Sequence, residues 1–361
     1  MGIFEKMEEN DQEQLIFVQE NENDLKGIIG INNTILGPAL GGCRMLDYES
    51  EEQAVEDVIR LSRGMTYKSA VAGEDFGGGK TVIWGDPETH RTEGLFRALG
   101  RYIDALNGRY ITGTDVGTQP EDFVLMRKET PYVGALPEEY GGGGDSSVPT
   151  AYGTYLGLKA CCQYLYGEKS LEGKQVAVQG LGKVGFKLIK HLQDEGAEVI
   201  GTDVSSERIK KASELGVEIV EPEEIYDVDC DVFSPNALGA VVNGDTIERF
   251  KCDIIAGAAN NILADENFGH KLREKNILYA PDFVINAGGM ILVCDELEPD
   301  GFDQERMMKK TERIYNQLLN IFELADERDI PTDQAARRLA ENRMEKIKVT
   351  STIDKGELNL D

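Results

Sequence analysis

Two lysines and an aspartate stand out because of where they sit: Lys68, Lys80 and Asp115 each occupy a glycine-flanked or turn setting. Burial, or a second cation nearby, lowers the basicity of a lysine toward the range a general base needs. Most lysines in a folded protein are solvated surface charges, but Lys68 and Lys80 are embedded in apolar, glycine-rich sequence. Lys80 closes the run Gly73-Glu-Asp-Phe-Gly-Gly-Gly-Lys80-Thr81, whose Gly-Lys-Thr ending is shared with phosphate-binding P-loops. A P-loop has four residues between its first glycine and that ending, and a helix follows at once. Here Glu74 occupies the first glycine's place, and Thr-Val-Ile-Trp before the turn Gly85-Asp86-Pro87 reads as a strand. The spacing argues against an NTPase loop. It predicts instead that something approaches the backbone closely at three successive glycines.

A second constellation is Gly180-Leu181-Gly182-Lys183-Val184-Gly185-Phe186, a G-x-G-x-x-G with the right context. It follows the strand pattern Gln175–Gln179 and opens a helix whose apolar residues are Val184, Leu188, Ile189 and Leu192. Asp203 ends the next strand pattern, Glu198–Thr202. Such glycines let a backbone turn approach a pyrophosphate at a helix N-terminus, and the acid accepts hydrogen bonds from a ribose. A carboxylate at 203 repels a 2′-phosphate, so NAD is expected rather than NADP, with Arg208 as the one residue arguing the other way.

These residues need elements to hold them. At 361 residues the chain is long enough for about two domains. In the first part, Ser50 and Gln53 form a capping pair opening a helix (Ala54, Val55, Val58, Ile59, Leu61) that runs out near Met65–Lys68. A second helix covers Glu93–Leu106 and stops at Asn107-Gly108, before the strand-like Arg109–Thr112. After the glycine-rich segment Gly141–Ser147 and a helix over 151–166, short apolar runs at 175–179, 198–202, 231–233, 253–256 and 277–280 alternate with helical patterns. That rhythm predicts a parallel sheet covered by helices on both faces. Long helical patterns fill 303–328 and 333–348. The expected class is α/β: a substrate, catalytic and oligomerisation domain over 1–135, a hinge over 136–150, a doubly wound Rossmann domain over 151–330, and a segment 331–361 returning to the first domain.

Composition excludes several roles. The net charge is −28, from 66 acidic against 38 basic side chains, which repels nucleic acid and anionic membranes. No stretch reads as a signal peptide or a membrane span. The six cysteines include no C-x-x-C pair, and the three histidines are scattered. Neither a disulfide framework nor a metal site is expected, and buried thiols in a reducing cytoplasm fit the spacing.

Several motifs in order resemble the amino-acid dehydrogenase family of the glutamate, leucine, phenylalanine and valine enzymes, over nearly the whole chain. They are Gly37-Pro-Ala-Leu-Gly-Gly-Cys-Arg44, Gly64-Met-Thr-Tyr-Lys68, Gly77-Gly-Gly-Lys80, Thr114-Asp-Val-Gly117, Ala256-Gly-Ala-Ala-Asn-Asn261 and Pro281-Asp-Phe-Val-Ile-Asn-Ala-Gly-Gly289. The resemblance implies reversible NAD-dependent oxidative deamination of an L-amino acid to a 2-oxo acid and ammonia, by a homo-oligomer that closes about its hinge. It implies that Lys68 binds the substrate carboxylate, Lys80 activates water as general base, and Asp115 handles the amine proton. It also implies that Asn261 and Asn286 position substrate and nicotinamide, and that Thr150 contacts the cofactor. The side-chain pocket it implies comprises Leu40, Gly41, Met65, Gly113, Met290 and Val293. Glutamate enzymes place lysine and glutamine where this chain has Leu40 and Met65, so glutamate is excluded. The motif set resembles the leucine and valine enzymes most. Gly113 lacks a methyl that leucine enzymes often carry, which favours phenylalanine as the alternative. Cys43, Cys294 and Asn236 depart from the family's usual Thr, Ala and Cys. A P-loop NTPase and a non-catalytic NAD-binding sensor are the readings from other classes.

Overall fold

The structure, a computed structural model, describes residues 2–356; the end of the expected returning segment, 357–361, lies outside it. The chain divides into two units. One comprises the residues up to Gly144, the segment Leu292–Gln304 and the chain from Ala340; the other comprises Asp145–Ile291 and Glu305–Leu339.

The first unit runs α1 (Ile3–Glu9), β1 (Gln14–Glu20), β2 (Leu25–Asn33), β3 (Ala39–Leu46), α2 (Glu51–Ala72), β4 (Gly77–Trp84), α3 (Glu93–Asp104), β5 (Tyr110–Thr114) and α4 (Pro120–Arg127). Its sheet has the order β1-β2-β4-β3-β5. β1 and β4 pair antiparallel with β2, and β3 pairs parallel with β4 and β5. α2 begins as the spacing predicts: Ser50 Oγ accepts from Gln53 N, while Gln53 Oε1 accepts from Glu49 N. It continues past Lys68 to Ala72, because Ser69-Ala-Val-Ala72 offers no break, and ends where Gly73 adopts a left-handed φ of 83°. One sheet face packs Cys43, Met45, Ile83 and Tyr110 against Leu95, Phe96 and Leu99 of α3 and Phe123 and Met126 of α4. On the other face, Ile28 and Val82 pack against Val55, Val58 and Ile59 of α2.

The glycine run is not a loop. Gly77-Gly-Gly-Lys80 forms the first half of β4 and is buried throughout. What approaches the glycines is the protein itself. A β-carbon at Gly78 would lie 2.1 Å from Thr66 Oγ1, and one at Gly79 would lie 2.6 Å from the Tyr110 ring. Glycine is usually depleted in strands, yet at these positions any side chain would push α2 or Tyr110 away.

The second unit contains α5 (Ser147–Tyr166), β6 (Gln175–Gln179), α6 (Lys183–Asp194), β7 (Glu198–Thr202), α7 (Ser206–Glu214), β8 (Glu218–Ile219), β9 (Val232–Pro235), β10 (Ile254–Ile255), α8 (Asn267–Glu274), β11 (Leu278–Tyr279) and α9 (Asp282–Ile285). All its paired strands are parallel, in the order β11-β10-β9-β6-β7-β8. The alternating strand and helix patterns of the sequence become this doubly wound sheet. The chain then forms α10 (Gly288–Glu296), α11 (Gln304–Arg328) and α12 (Thr332–Gly356). Within the first unit, Arg343 of α12 donates to Ala70 O and Glu74 O and pairs with Asp75, covering the carbonyl end of α2.

Candidate active site

Strand alternation decides which side chains of the first unit meet. On β3, β4 and β5, Met45, Ile83 and Tyr110 point into the α3–α4 core. Counting by twos, Leu40, Arg44, Lys80, Gly113 and Asp115 fall on the opposite face, the one covered by α2. On α2, Asp57, Met65 and Lys68 lie within about 80° of one another around the helix axis. The sheet face and the helix together bring the proposed base, its acid partner and much of the implied pocket lining to one side.

Lys80 and Asp115 form the centre of this face. Lys80 Nζ lies 2.7 Å from Asp115 Oδ2, with the lysine side chain 8% exposed. The same oxygen accepts from Arg44 Nε at 3.0 Å. Arg44 also reaches Asp57 Oδ2 at 3.1 Å, where Tyr48 OH donates at 2.8 Å. Burial alone would raise the Asp115 carboxyl, but the Lys80 and Arg44 charges outweigh it and hold the group below the ordinary aspartate range. Asp57 is lowered in the same way, by the Tyr48 hydroxyl and Arg44 against burial. The result is an ionised carboxylate fixed between Lys80 and Arg44.

Arg44, Asp57 and Tyr48 received no role from the sequence. A charged residue at an alternating strand position, between Cys43 and Met45, was the available signal. Gly41 sits apart from the other lining residues. Its carbonyl accepts from Tyr110 OH at 2.8 Å, and a β-carbon there would strike Gly79 O at 1.7 Å. A β-carbon at Gly113 would meet Ala135 Cβ at 3.4 Å and Gly134 O at 3.8 Å, so chain already bounds the space of the missing methyl. Val293, in the same unit, packs over Gly134, where a β-carbon would lie 2.8 Å from Val293 Cγ1. Cys43 lies on the α3–α4 side and is fully buried, which pushes its thiol pKa up.

In the second unit, Gly180 takes a φ of 98° and Gly185 lies so close to the turn that a β-carbon would strike Gly180 O at 2.1 Å. A β-carbon at Gly182 would meet nothing within 4 Å, and no side chain caps the N-terminus of α6. That leaves an open cradle with unsatisfied N–H groups, which fits a pyrophosphate. Lys183 is exposed, and Val184 and Phe186 are half-buried, with Lys211 over the Phe186 ring. Leu181 has its side chain in the core beside Gly201, and its N–H donates to Asp203 Oδ2 at 2.8 Å. Asp203 Oδ1 accepts from Ser205 N at 2.8 Å, and Arg208 stands 3.5 Å from Oδ2. Against burial, these donors hold the carboxyl below its ordinary range. Thr150 Oγ1, at the start of α5, donates to Ser146 O and packs beside Gly288 and Gly289. Asn286 Nδ2 donates to Asn260 Oδ1 at 2.8 Å, on the loop that carries Asn261. Met290 is buried in the first turns of α10. Among the described residues, no group of three or more His, Cys, Asp or Glu could hold a metal, and no helix is long and apolar enough to cross a membrane.

Comparison with known proteins places the whole chain. Residues 12–132 match the family model described as Glu/Leu/Phe/Val dehydrogenase, dimerisation domain. Residues 141–215 and 202–351 match the one described as Glutamate/Leucine/Phenylalanine/Valine dehydrogenase. The chain is 53% identical to a leucine dehydrogenase of Thermoactinomyces intermedius, over 100% of this chain and 98% of that protein. It is 51% identical to a phenylalanine dehydrogenase of Caldalkalibacillus thermarum, over 93% of this chain and 92% of that protein. Among solved structures, the L-tryptophan dehydrogenase of Nostoc punctiforme superposes with a TM-score of 0.86 at 44% identity, covering 96% of this chain and 99% of that one.

Proposed function

The chain belongs to the glutamate/leucine/phenylalanine/valine dehydrogenase family, and from that premise we propose how its residues divide the work of an amino-acid dehydrogenase. The reaction is the reversible oxidative deamination of branched-chain amino acids, with phenylalanine as the close alternative substrate. An L-amino acid, NAD⁺ and water give a 2-oxo acid, ammonium, NADH and a proton. The observation that carries the assignment is the buried Lys80–Asp115 pair, on the same sheet face as Leu40 and Gly113.

A bound dinucleotide would supply the acceptor for the hydride that leaves the substrate Cα. Lys68 holds the α-carboxylate, so that Cα has one orientation. Lys80 takes a proton from the water that adds to the imino carbon, and Asp115 passes protons between Lys80 and the substrate nitrogen. Arg44 keeps Asp115 ionised and in place. The cradle at Gly180–Phe186 would hold the pyrophosphate, and Asp203 the adenosine ribose.

NAD is the proposed form of the cofactor because the Asp203 carboxylate is fixed by two backbone N–H groups and cannot swing away from a 2′-phosphate. We expect kcat/KM for NAD⁺ to exceed that for NADP⁺ on the order of 10³-fold, the scale of one like-charge contact of about 4 kcal/mol near a surface. Equal values for the two cofactors would shift the choice to Arg208.

Leucine, valine and isoleucine rank above phenylalanine because the motif set resembles the leucine and valine enzymes most, while the room at Gly113 keeps a ring as the alternative. A methylene in such a pocket is worth only ~1–3 kcal/mol, so activities overlap. An absorbance assay at the NADH band, run with leucine, valine, isoleucine and phenylalanine, gives kcat/KM for each. A lead for phenylalanine would overturn the ranking.

Homo-oligomeric assembly is the accompanying proposal, supported by the matched dimerisation domain. A cytoplasmic setting is supported by six cysteines that are all free and buried.

A further inference from the structure

In the parallel sheet of the second unit, β7 and β8 lie on one side of β6, while β9, β10 and β11 lie on the other. The C-terminal end of β6 is therefore the point where strand order reverses, and dinucleotides bind across such a point. Asp203, at the end of β7, takes the adenosine side. The loops after β9 and β10 are left for the nicotinamide side.

Those two loops are stitched together. Ala240 N donates to Asn261 O at 2.6 Å and Val242 N to Ile262 O at 3.0 Å. Gly257 presses on Pro235, where a β-carbon would lie 2.1 Å from the proline carbonyl oxygen. Gly180 abuts Ala237, which a β-carbon on the glycine would approach to 2.5 Å. Asn236 is the hub of this region. Its Oδ1 accepts from Ala258 N at 3.0 Å. Its Nδ2 donates to Ser234 O at 2.9 Å and Ser234 Oγ at 3.1 Å. Its own N–H donates to Gln179 O, at the end of β6, at 2.7 Å. From the opposite side, Asn286 Nδ2 donates to Ala258 O at 3.2 Å as well as to Asn260, and Asp282 Oδ2 accepts from Ile262 N at 3.1 Å. Between these anchors Asn260 and Asn261 stand exposed, Asn261 with a left-handed φ of 53°.

We infer that Asn236 is a positioning residue for the nicotinamide end of the dinucleotide: by tying Ala258 to β9 it holds the 257–261 loop in the shape that presents Asn260 and Asn261. The inference rests on the cofactor reading above. A loop fixed before binding loses little freedom on binding, and its affinity depends on the bonds that fix it. Asn236→Ala removes the acceptor for Ala258 N and the anchor on Ser234 together.

The test compares two probes by titration: NADH, and ADP-ribose, which has the same adenosine and pyrophosphate but no nicotinamide. Asn236→Ala weakens NADH binding roughly tenfold, the scale of losing one or two hydrogen bonds, and leaves ADP-ribose within about twofold. The KM for NAD⁺ rises in parallel. Asn236→Asp, which still accepts from Ala258 N, recovers most of the NADH affinity. Equal weakening of both probes would mean general damage to the sheet edge and overturn the inference, as would unchanged NADH binding. If Asn236→Ala does not fold, Asn260→Ala at the exposed tip carries the same comparison, with the same expected split. A wild-type chain that binds ADP-ribose and NADH equally overturns the positioning role, and one that binds neither overturns the cofactor reading itself.

Discussion

Lys80→Ala lowers kcat by a factor on the order of 10²–10⁴ while NADH still binds. That range is the usual contribution of a positioned acid–base group. The lysine is 8% exposed and its Nζ is 2.7 Å from Asp115 Oδ2, so water does not easily take over its role from bulk solvent. The variant should remain folded, because Asp115 keeps its bond to Arg44 and alanine is smaller than the side chain it replaces. NADH binding survives because the glycine cradle and Asp203 belong to the other unit of the chain. Steady-state kinetics, together with a fluorescence titration of NADH, separates the two effects. Near-normal turnover would remove Lys80 from the mechanism. The loss of both turnover and NADH binding would point to misfolding instead.

The second large effect is the rejection of glutamate. We expect kcat/KM for leucine to exceed that for glutamate by about 10³-fold or more, because a side-chain carboxylate buried without a partner costs several kcal/mol. The positions assigned to the side-chain pocket are Leu40, Gly41, Met65, Gly113, Met290 and Val293, none of which carries a charge. Leu40 is fully buried on the sheet face beside Gly78 and Ile111. The asymmetry is what makes the effect large: an apolar pocket distinguishes leucine from valine weakly, but it meets a second carboxylate with no compensating donor. Leucine and glutamate compared under identical conditions decide the point. A lead for glutamate would overturn the pocket assignment itself, not merely the ranking within it.

The second unit was the more legible half in the sequence, because its signals are local. Gly180, Gly182 and Gly185 lie within six residues of one another, directly between a strand and a helix, and Asp203 ends the next strand. The capping pair of α2 was readable for the same reason. The glycine run before Lys80 was harder, since propensity argues against strands there. Gly78 and Gly79 stand in β4 because Thr66, Ser62 and Tyr110 occupy the room a side chain would need, and those contacts come from other elements of the chain. Arg44 and Asp115 are 71 residues apart, and Asn236 and Ala258 are 22 apart. A hydrogen bond over such a distance leaves no periodicity behind. Arg44 and Asn236 therefore looked like one charged and one polar residue among many until the fold brought their partners to them.

The stretch of strand that leads to Lys80 carries no side chains of its own. Strands β2 and β3 flank it, three glycines precede it, and neighbours close directly on two of them, Thr66 of α2 on Gly78 and the Tyr110 ring on Gly79. Lys80, the proposed base, is thus seated on a bare stretch of strand clamped between Thr66 and Tyr110. On the proposed assignment, mutational drift at Leu40, Met65 or Gly113 reshapes the substrate cavity without touching that clamp, so new specificities are reachable by single steps that leave the chemistry running. The same foundation makes the glycines themselves nearly immovable, and a lineage that changes its diet of amino acids has to do so around them.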